Sequence, residues 1–163
     1  MAVVQRRLMA GTGWKMNNDA AGTARYGAAI RAGLGIGPEA AVAALLDLFV
    51  LPPFTSLHAA QAAFRGTPVA IGAQNVHWDE SGAWTGEISA PMLAEAGCRY
   101  VALAHSERLT HFSESYPLVR LKVNVALRHG ITPVLCLGET ADEREAGQAD
   151  AVLATQVRTA LAD

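Results

Sequence analysis

Short apolar runs that recur along the chain constrain this sequence more than any other feature. They are Leu8 to Ala10, Leu48 to Leu51, Val69 to Ala73, Val101 to Ala104 and Val134 to Leu137. Each is strand length, and the segments between them carry helical periodicity and helix punctuation. A strand that is apolar on both faces is buried on both faces, so repeated strand–helix units imply a parallel sheet covered by helices. Each crossover is then expected to be right-handed. Periodicity alone does not separate a doubly wound open sheet from a closed barrel.

The connecting segments read as helices with definite ends. The first, Asn18 to Leu34, is Ala-rich and runs into a terminating cluster of Gly33, Gly35, Gly37 and Pro38. Thr55 or Ser56 is placed to cap the second, after Pro52-Pro53. Ser89, with Pro91 in the first turn, opens the third, and Gly97 closes it. Leu118, Leu121 and Val125 share one face of a fourth, begun near Pro117 and stopped by Gly130. Thr140 and Glu143 have the spacing of a capping box for a fifth. Beyond Gly147, Leu153, Val157 and Leu161 resume a single stripe. At 163 residues and 51% hydrophobic composition, one domain over residues 1–163 is the expected organisation.

Charge and composition narrow the function. A formal net charge of −2 with no basic run speaks against a nucleic-acid partner or a membrane surface. No apolar segment approaches the ~20 residues of a membrane span. Gln5, Arg6 and Arg7 break any signal-peptide core, so a cytoplasmic location is expected. Cys98 and Cys136 lack a Cys-x-x-Cys partner and read as two buried free thiols, with no metal site. Gly11-Thr12-Gly13 runs into Trp14-Lys15-Met16, not into a dinucleotide fingerprint.

Chemistry is expected just past the strand ends, where α/β folds place it. Lys15 follows the first strand in a chain with eleven arginines and only two lysines. Its compact ammonium suits a phosphate or a developing oxyanion, or it is an ordinary solvated lysine. After the third strand, Gln74 and Asn75 open a polar loop that runs to Glu87 and holds Trp78 and Trp84. Such a loop serves an interface or folds back on its own domain. After the fourth strand, His105 is followed by Ser106, Glu107 and Arg108, which can start a short helix. The dipole of that helix would keep the imidazole neutral and able to polarise a carbonyl. Glu107 can instead pair with Lys15 or Arg108 as structural support. After the fifth strand, Glu139 can hold a cationic side chain or serve the following helix N-terminus.

Five segments, in this order and at this spacing, together resemble the triosephosphate isomerase family along the whole chain. They are Gly13-Trp14-Lys15-Met16-Asn17, Gly72-Ala73-Gln74-Asn75, Thr85-Gly86-Glu87-Ile88-Ser89, His105-Ser106-Glu107-Arg108 and Cys136-Leu137-Gly138-Glu139-Thr140. The resemblance implies an α/β fold of the TIM (β/α)8 barrel family, with only about the first five βα units present. It implies interconversion of dihydroxyacetone phosphate and glyceraldehyde 3-phosphate through an enediolate, a step of glycolysis and gluconeogenesis, without cofactor. Lys15 would match the substrate-binding lysine, and His105 the neutral electrophile, a role already assigned to this family's histidine. Glu107 would match the carboxylate near that lysine. Gly13 would occupy a substrate-contacting position, and Gln74, Asn75 and Thr85 would lie at the interface of a homodimer.

Three departures accompany the match. Gly13 stands where the family has an asparagine, and losing one positioned donor costs roughly 10²-fold in rate. Leu109 stands where a second arginine is usual, which is expected to weaken a salt-bridge network. A complete barrel needs ~250 residues and eight strands. The segment carrying the family's glutamate base and its phosphate loops matches nothing here, so this chain alone is expected to be inactive. A truncated stretch of a longer protein is the favoured expectation. The alternatives are an isomerase for another small phosphosugar such as erythrulose 1-phosphate, suggested by Gly13, and a non-catalytic partial barrel that assembles through its open edges.

Overall fold

A computed structural model describes residues 7–34 and 45–162 of the chain. The strands are β1 (Leu8–Gly13), β2 (Leu46–Leu51), β3 (Val69–Ala73), β4 (Tyr100–Leu103) and β5 (Thr132–Leu135), in that order in one sheet. The helices are α1 (Ala20–Leu34), α2 (Leu57–Ala63), α3 (Ala90–Glu95), α4 (Ser106–His111), α5 (Tyr116–Arg128), α6 (Ala141–Glu145) and α7 (Ala149–Leu161). All five expected strands are present, the fifth beginning two residues earlier than expected. Of the glycines and proline expected to end the first helix, Gly35, Gly37 and Pro38 lie outside the described residues. The fold class is that of the (β/α)8 barrel, with five βα units among the described residues.

Two compact units are distinguished: Met1–Gln74 with Glu95–Tyr100, and Asn75–Ala94 with Val101–Asp163. In the first, β1, β2 and β3 pair in parallel, with Gly13 opposite Leu51 and Val50 opposite Ile71. Trp14, Val50, Ala60, Phe64, Val69 and Ile71 form its core. The Trp14 ring meets Tyr26 edge-on at 5.0 Å, and Tyr26 meets Phe64 at 6.4 Å. Arg31 at the end of α1 donates to the carbonyl of Ala63 (3.1 Å), satisfying the C-terminus of α2. Ser56 occupies the N-cap position of α2, as expected, but makes no capping bond there. Its hydroxyl donates instead to the Asn18 carbonyl at 2.8 Å, a tertiary bond that outcompetes the local one.

Gly72 is the tightest point of this unit. A Cβ built there would lie 2.5 Å from the Tyr100 carbonyl oxygen and 2.6 Å from Leu51 Cδ2. The backbone amide of Arg99 reaches Ile71 O at 2.8 Å beside it, so neither chain segment has room to withdraw.

In the second unit, α5 supplies the buried face. The expected stripe was Leu118, Leu121 and Val125, but Leu121 is exposed and the buried residues are Val119, Lys122, Val123, Val125 and Ala126. The face is rotated because Lys122 is drawn inward by polar partners. Its ammonium donates to Asn75 Oδ1 at 2.8 Å and pairs closely with Glu114 Oε1. Arg108 Nε meets the same carboxylate oxygen at 3.4 Å. The Lys122 and Glu114 side chains are 5% and 2% exposed, so each charge depends on the other to be tolerated inside. Burial lowers the Lys122 pKa from its ordinary value, against the opposing pull of Glu114. This network forms without a cation at Leu109.

The Thr140/Glu143 capping box forms as expected at α6. Ser89 precedes α3, but its buried hydroxyl has no protein partner and does not cap it. Cys98 is buried, and burial pushes its thiol up to about 11; Cys136 is only half-buried, because β5 ends before it.

Two stability measurements follow from this packing. Gly72→Ala is expected to lower the unfolding free energy by about 2–3 kcal/mol in urea titration, the range of overpacked cores, because a backbone carbonyl faces the new methyl. Lys122→Met should cost about 3–5 kcal/mol by leaving Glu114 buried and unpaired, and adding Glu114→Gln should recover part of that loss.

Candidate active site

Sites in this fold are built where strands stop. In the first unit, β1 ends at Gly13 and the chain turns through Trp14, whose backbone amide donates to Leu51 O at 3.0 Å. Lys15 follows with φ of +55°, a left-handed backbone that a residue with a β-carbon rarely adopts. Asn17 Nδ2 donates to the Trp14 carbonyl at 2.9 Å. Gln74, directly after β3, donates through Nε2 to the carbonyls of Lys15 and Leu51, both at 2.9 Å. Lys15 is half-buried, between a core tryptophan and an exposed Met16.

Gly13 is exposed and has no left-handed backbone, and a Cβ there would meet nothing within 4 Å. Neither packing nor conformation within the described residues requires glycine at this position. The side chain absent here is therefore absent for a reason other than the fold.

In the second unit, β4 runs into the expected short helix α4. His105 is its N-cap, and its Nδ1 accepts the backbone N–H of Glu107 at 3.2 Å. A ring nitrogen that accepts cannot carry the proton, so the neutral imidazole holds its hydrogen on Nε2, available as a donor. The Glu107 carboxylate lies 3.5 Å from the same Nδ1, a longer approach than the N–H that fixes the tautomer. Glu107 is exposed, and Arg108 stacks over Phe112 at 5.0 Å while it meets Glu114.

His105 lines a cavity of about 430 Å³ together with Ser106, Tyr116 and the run from Cys136 to Thr140. The histidine motif and the Cys136-Leu137-Gly138-Glu139-Thr140 motif, far apart in sequence, thus share one space. Glu139 receives Arg144 Nε and Nη2 at 2.7 and 2.6 Å. Its own backbone amide, and then Arg144, hold its carboxyl below the usual carboxylate range. Of the two expected roles, holding a cation is the one seen. Gln156 on α7 locks the turn: its Oε1 accepts Gly138 N (3.0 Å) and its Nε2 donates to Gly138 O (2.7 Å).

The loop opened by Gln74 and Asn75 is closed at its base by His77 N donating to Ile88 O at 2.8 Å. The His77 ring is stacked against Trp78 (4.1 Å) and Trp84 (4.4 Å), and Arg128 and His129 reach Glu80 at 3.3 and 3.1 Å. The loop therefore packs against its own unit, while Trp84 remains 45% exposed and Thr85 is exposed at its rim. Asn75 is buried, its side chain taken by Lys122.

Sequence reading missed three of these residues. Lys122 sits at i+4 from Leu118 and i−3 from Val125, a spacing that marks a lysine on an apolar face. Glu114 and Gln156 carried no such signal, because their partners are distant in sequence. Among the described residues no group of three His, Cys, Asp or Glu is placed to hold a metal, and no helix is long and apolar enough to cross a membrane.

Comparison with known proteins agrees with this geometry. The family described as Triosephosphate isomerase matches residues 8–163. The chain is 45% identical over 152 residues to an L-erythrulose-1-phosphate isomerase of Brucella abortus biovar 1 (strain 9-941), covering 93% of this chain and 57% of the relative. It is 45% identical over 158 residues to the triosephosphate isomerase of Aquifex aeolicus (strain VF5), covering 96% and 60%. The crystal structure of triosephosphate isomerase from Bartonella henselae superposes with a TM-score of 0.86 at 36% identity, over 97% of this chain and 63% of that one. The chain thus spans less than two thirds of the length of these relatives. It belongs to the triosephosphate isomerase family.

Proposed function

We propose that this chain carries the substrate-binding and carbonyl-polarising residues of an aldose–ketose isomerase acting on a small phosphorylated hydroxycarbonyl compound. The reaction moves a proton between adjacent carbons through an enediolate, with no cofactor. The observation that carries this reading is His105, a neutral N-cap imidazole with Nε2–H as donor on the wall of a cavity. A neutral donor suits a carbonyl oxygen becoming an enediolate oxyanion, because it stabilises charge without giving up its proton in the ground state. Lys15 contributes an ammonium for the substrate's anionic group. Glu107 contributes a carboxylate beside the imidazole and, through its amide, the tautomer. The partner we propose is a second copy of the chain, met through the loop that carries Thr85, in a cytoplasmic homodimer. The exposed face of Trp84 supports that surface.

Dihydroxyacetone phosphate and glyceraldehyde 3-phosphate are the first substrate pair. A four-carbon substrate such as erythrulose 1-phosphate is the second reading, favoured by Gly13, where nothing in the fold requires the missing side chain. The name of the Brucella relative points the same way. No residue of this sequence matches the family's glutamate base, so the chain is proposed to bind and polarise substrate without turning it over.

Titration with each ketose phosphate, following the carbonyl carbon by 13C NMR, separates these readings. Binding with a downfield carbonyl shift is expected. His105→Gln should reduce that shift while binding persists, and Lys15→Met should weaken binding at least roughly tenfold, the loss of one charge-assisted contact. If neither compound binds, the reading fails; turnover at an ordinary enzymatic rate would disprove the absence of a base. Tighter binding of the tetrose than of the triose, reversed by Gly13→Asn, would select the second reading.

A further inference from the structure

We propose that Gln74 is a positioning residue for Lys15, its side-chain amide holding the lysine backbone in the left-handed conformation from which the ammonium is presented. The functional reading above enters only in what that ammonium then binds; the clamp stands on geometry alone.

A left-handed lysine needs an external cause. Its β-carbon is crowded by its own backbone at φ of +55°, and no glycine relieves it. On its N-terminal side the cause is visible: Trp14 is buried in the core, its amide is bound to Leu51 O and its carbonyl to Asn17 Nδ2. Left there, the peptide after Lys15 would still be free to rotate. Gln74 removes that freedom. Its Nε2 carries two hydrogens and spends them on two carbonyls, those of Lys15 and Leu51, each at 2.9 Å. Leu51 O, which also receives Trp14 N, is the last carbonyl of β2, and Gln74 is the first residue after β3. One primary amide therefore references the Lys15 peptide to the rigid ends of two neighbouring strands.

The residue type is demanded by this geometry. A carboxylate offers acceptors where two carbonyls already present lone pairs, an asparagine falls one carbon short, and methionine has the length without the donors. The resemblance to the family suggested Gln74 as a residue facing a partner subunit. The bonds it makes within this chain give it a task that needs no partner.

The test is solution NMR of the labelled 163-residue chain, with sn-glycerol 3-phosphate as the binding probe. In the unmodified protein, through-hydrogen-bond couplings from Gln74 Nε2 to the carbonyl carbons of Lys15 and Leu51 are expected, with a Lys15 HN–Hα coupling of a left-handed residue. In Gln74→Met and Gln74→Asn, Lys15 should lose that coupling and affinity for the probe should fall roughly tenfold or more in the folded fraction. A merely structural glutamine would lower the unfolding midpoint and leave the Lys15 coupling unchanged. Folded variants with unaltered Lys15 coupling would overturn the proposal. Should neither variant fold, absence of the through-bond couplings in the unmodified protein would overturn it, and their presence would uphold it. If the unmodified chain shows the clamp but does not bind the probe, the functional reading fails and the positioning role stands.

Discussion

Parallel strand pairing is the constraint on which the rest of this structure depends. Parallel strands all point the same way, so whatever follows each one is delivered to the same end of the sheet. In the first unit the register sets Gly13 beside Leu51, and that is why three segments remote in sequence share hydrogen bonds: Trp14-Lys15, Leu51 and Gln74. A one-residue slip would turn each strand's side chains to the opposite face and uncouple them. The close approach at Gly72, where even a methyl group does not fit, fixes that register against change.

The second unit reaches the same kind of precision by another route. Its buried polar groups are held by charge: Lys122, Glu114 and Arg108 satisfy one another, and Lys122 extends the network to Asn75 at the base of the long loop. Such a pair contributes little net stability over an apolar substitute, but half of it is strongly destabilising, so it favours a single arrangement of helix and loop. Arg108 belongs both to this network and to α4, the helix that His105 caps. The imidazole tautomer is thereby tied to a helix whose own residue is anchored in the interior.

How legible this was in the sequence differs by feature. The five strands follow from apolar runs too short for helices, and the Thr140/Glu143 box and the short helix after His105 follow from local spacing. The resemblance that picked out Lys15 and His105 was readable because the motifs are short and sequential. What failed were inferences about side chains with a choice of partner. Ser56 had a local cap available and took the Asn18 carbonyl instead. The stripe on α5 was read from leucines, yet the buried face is set by Lys122, whose ion pair depends on Glu114 outside the helix.

The sequence by itself therefore determined the alternation of strand and helix, the family, and the residue types at the strand ends. These depend on period, composition and local turn chemistry, which are properties of neighbours along the chain. Only the tertiary structure decided which of those residues touch. Gln74 came to clamp Lys15, Gln156 to lock Gly138, and Asn75 to satisfy a buried lysine through contacts spanning 59, 18 and 47 positions. A hydrogen bond of that span has no local signature, because its partner is chosen by the packing of the strands and helices between.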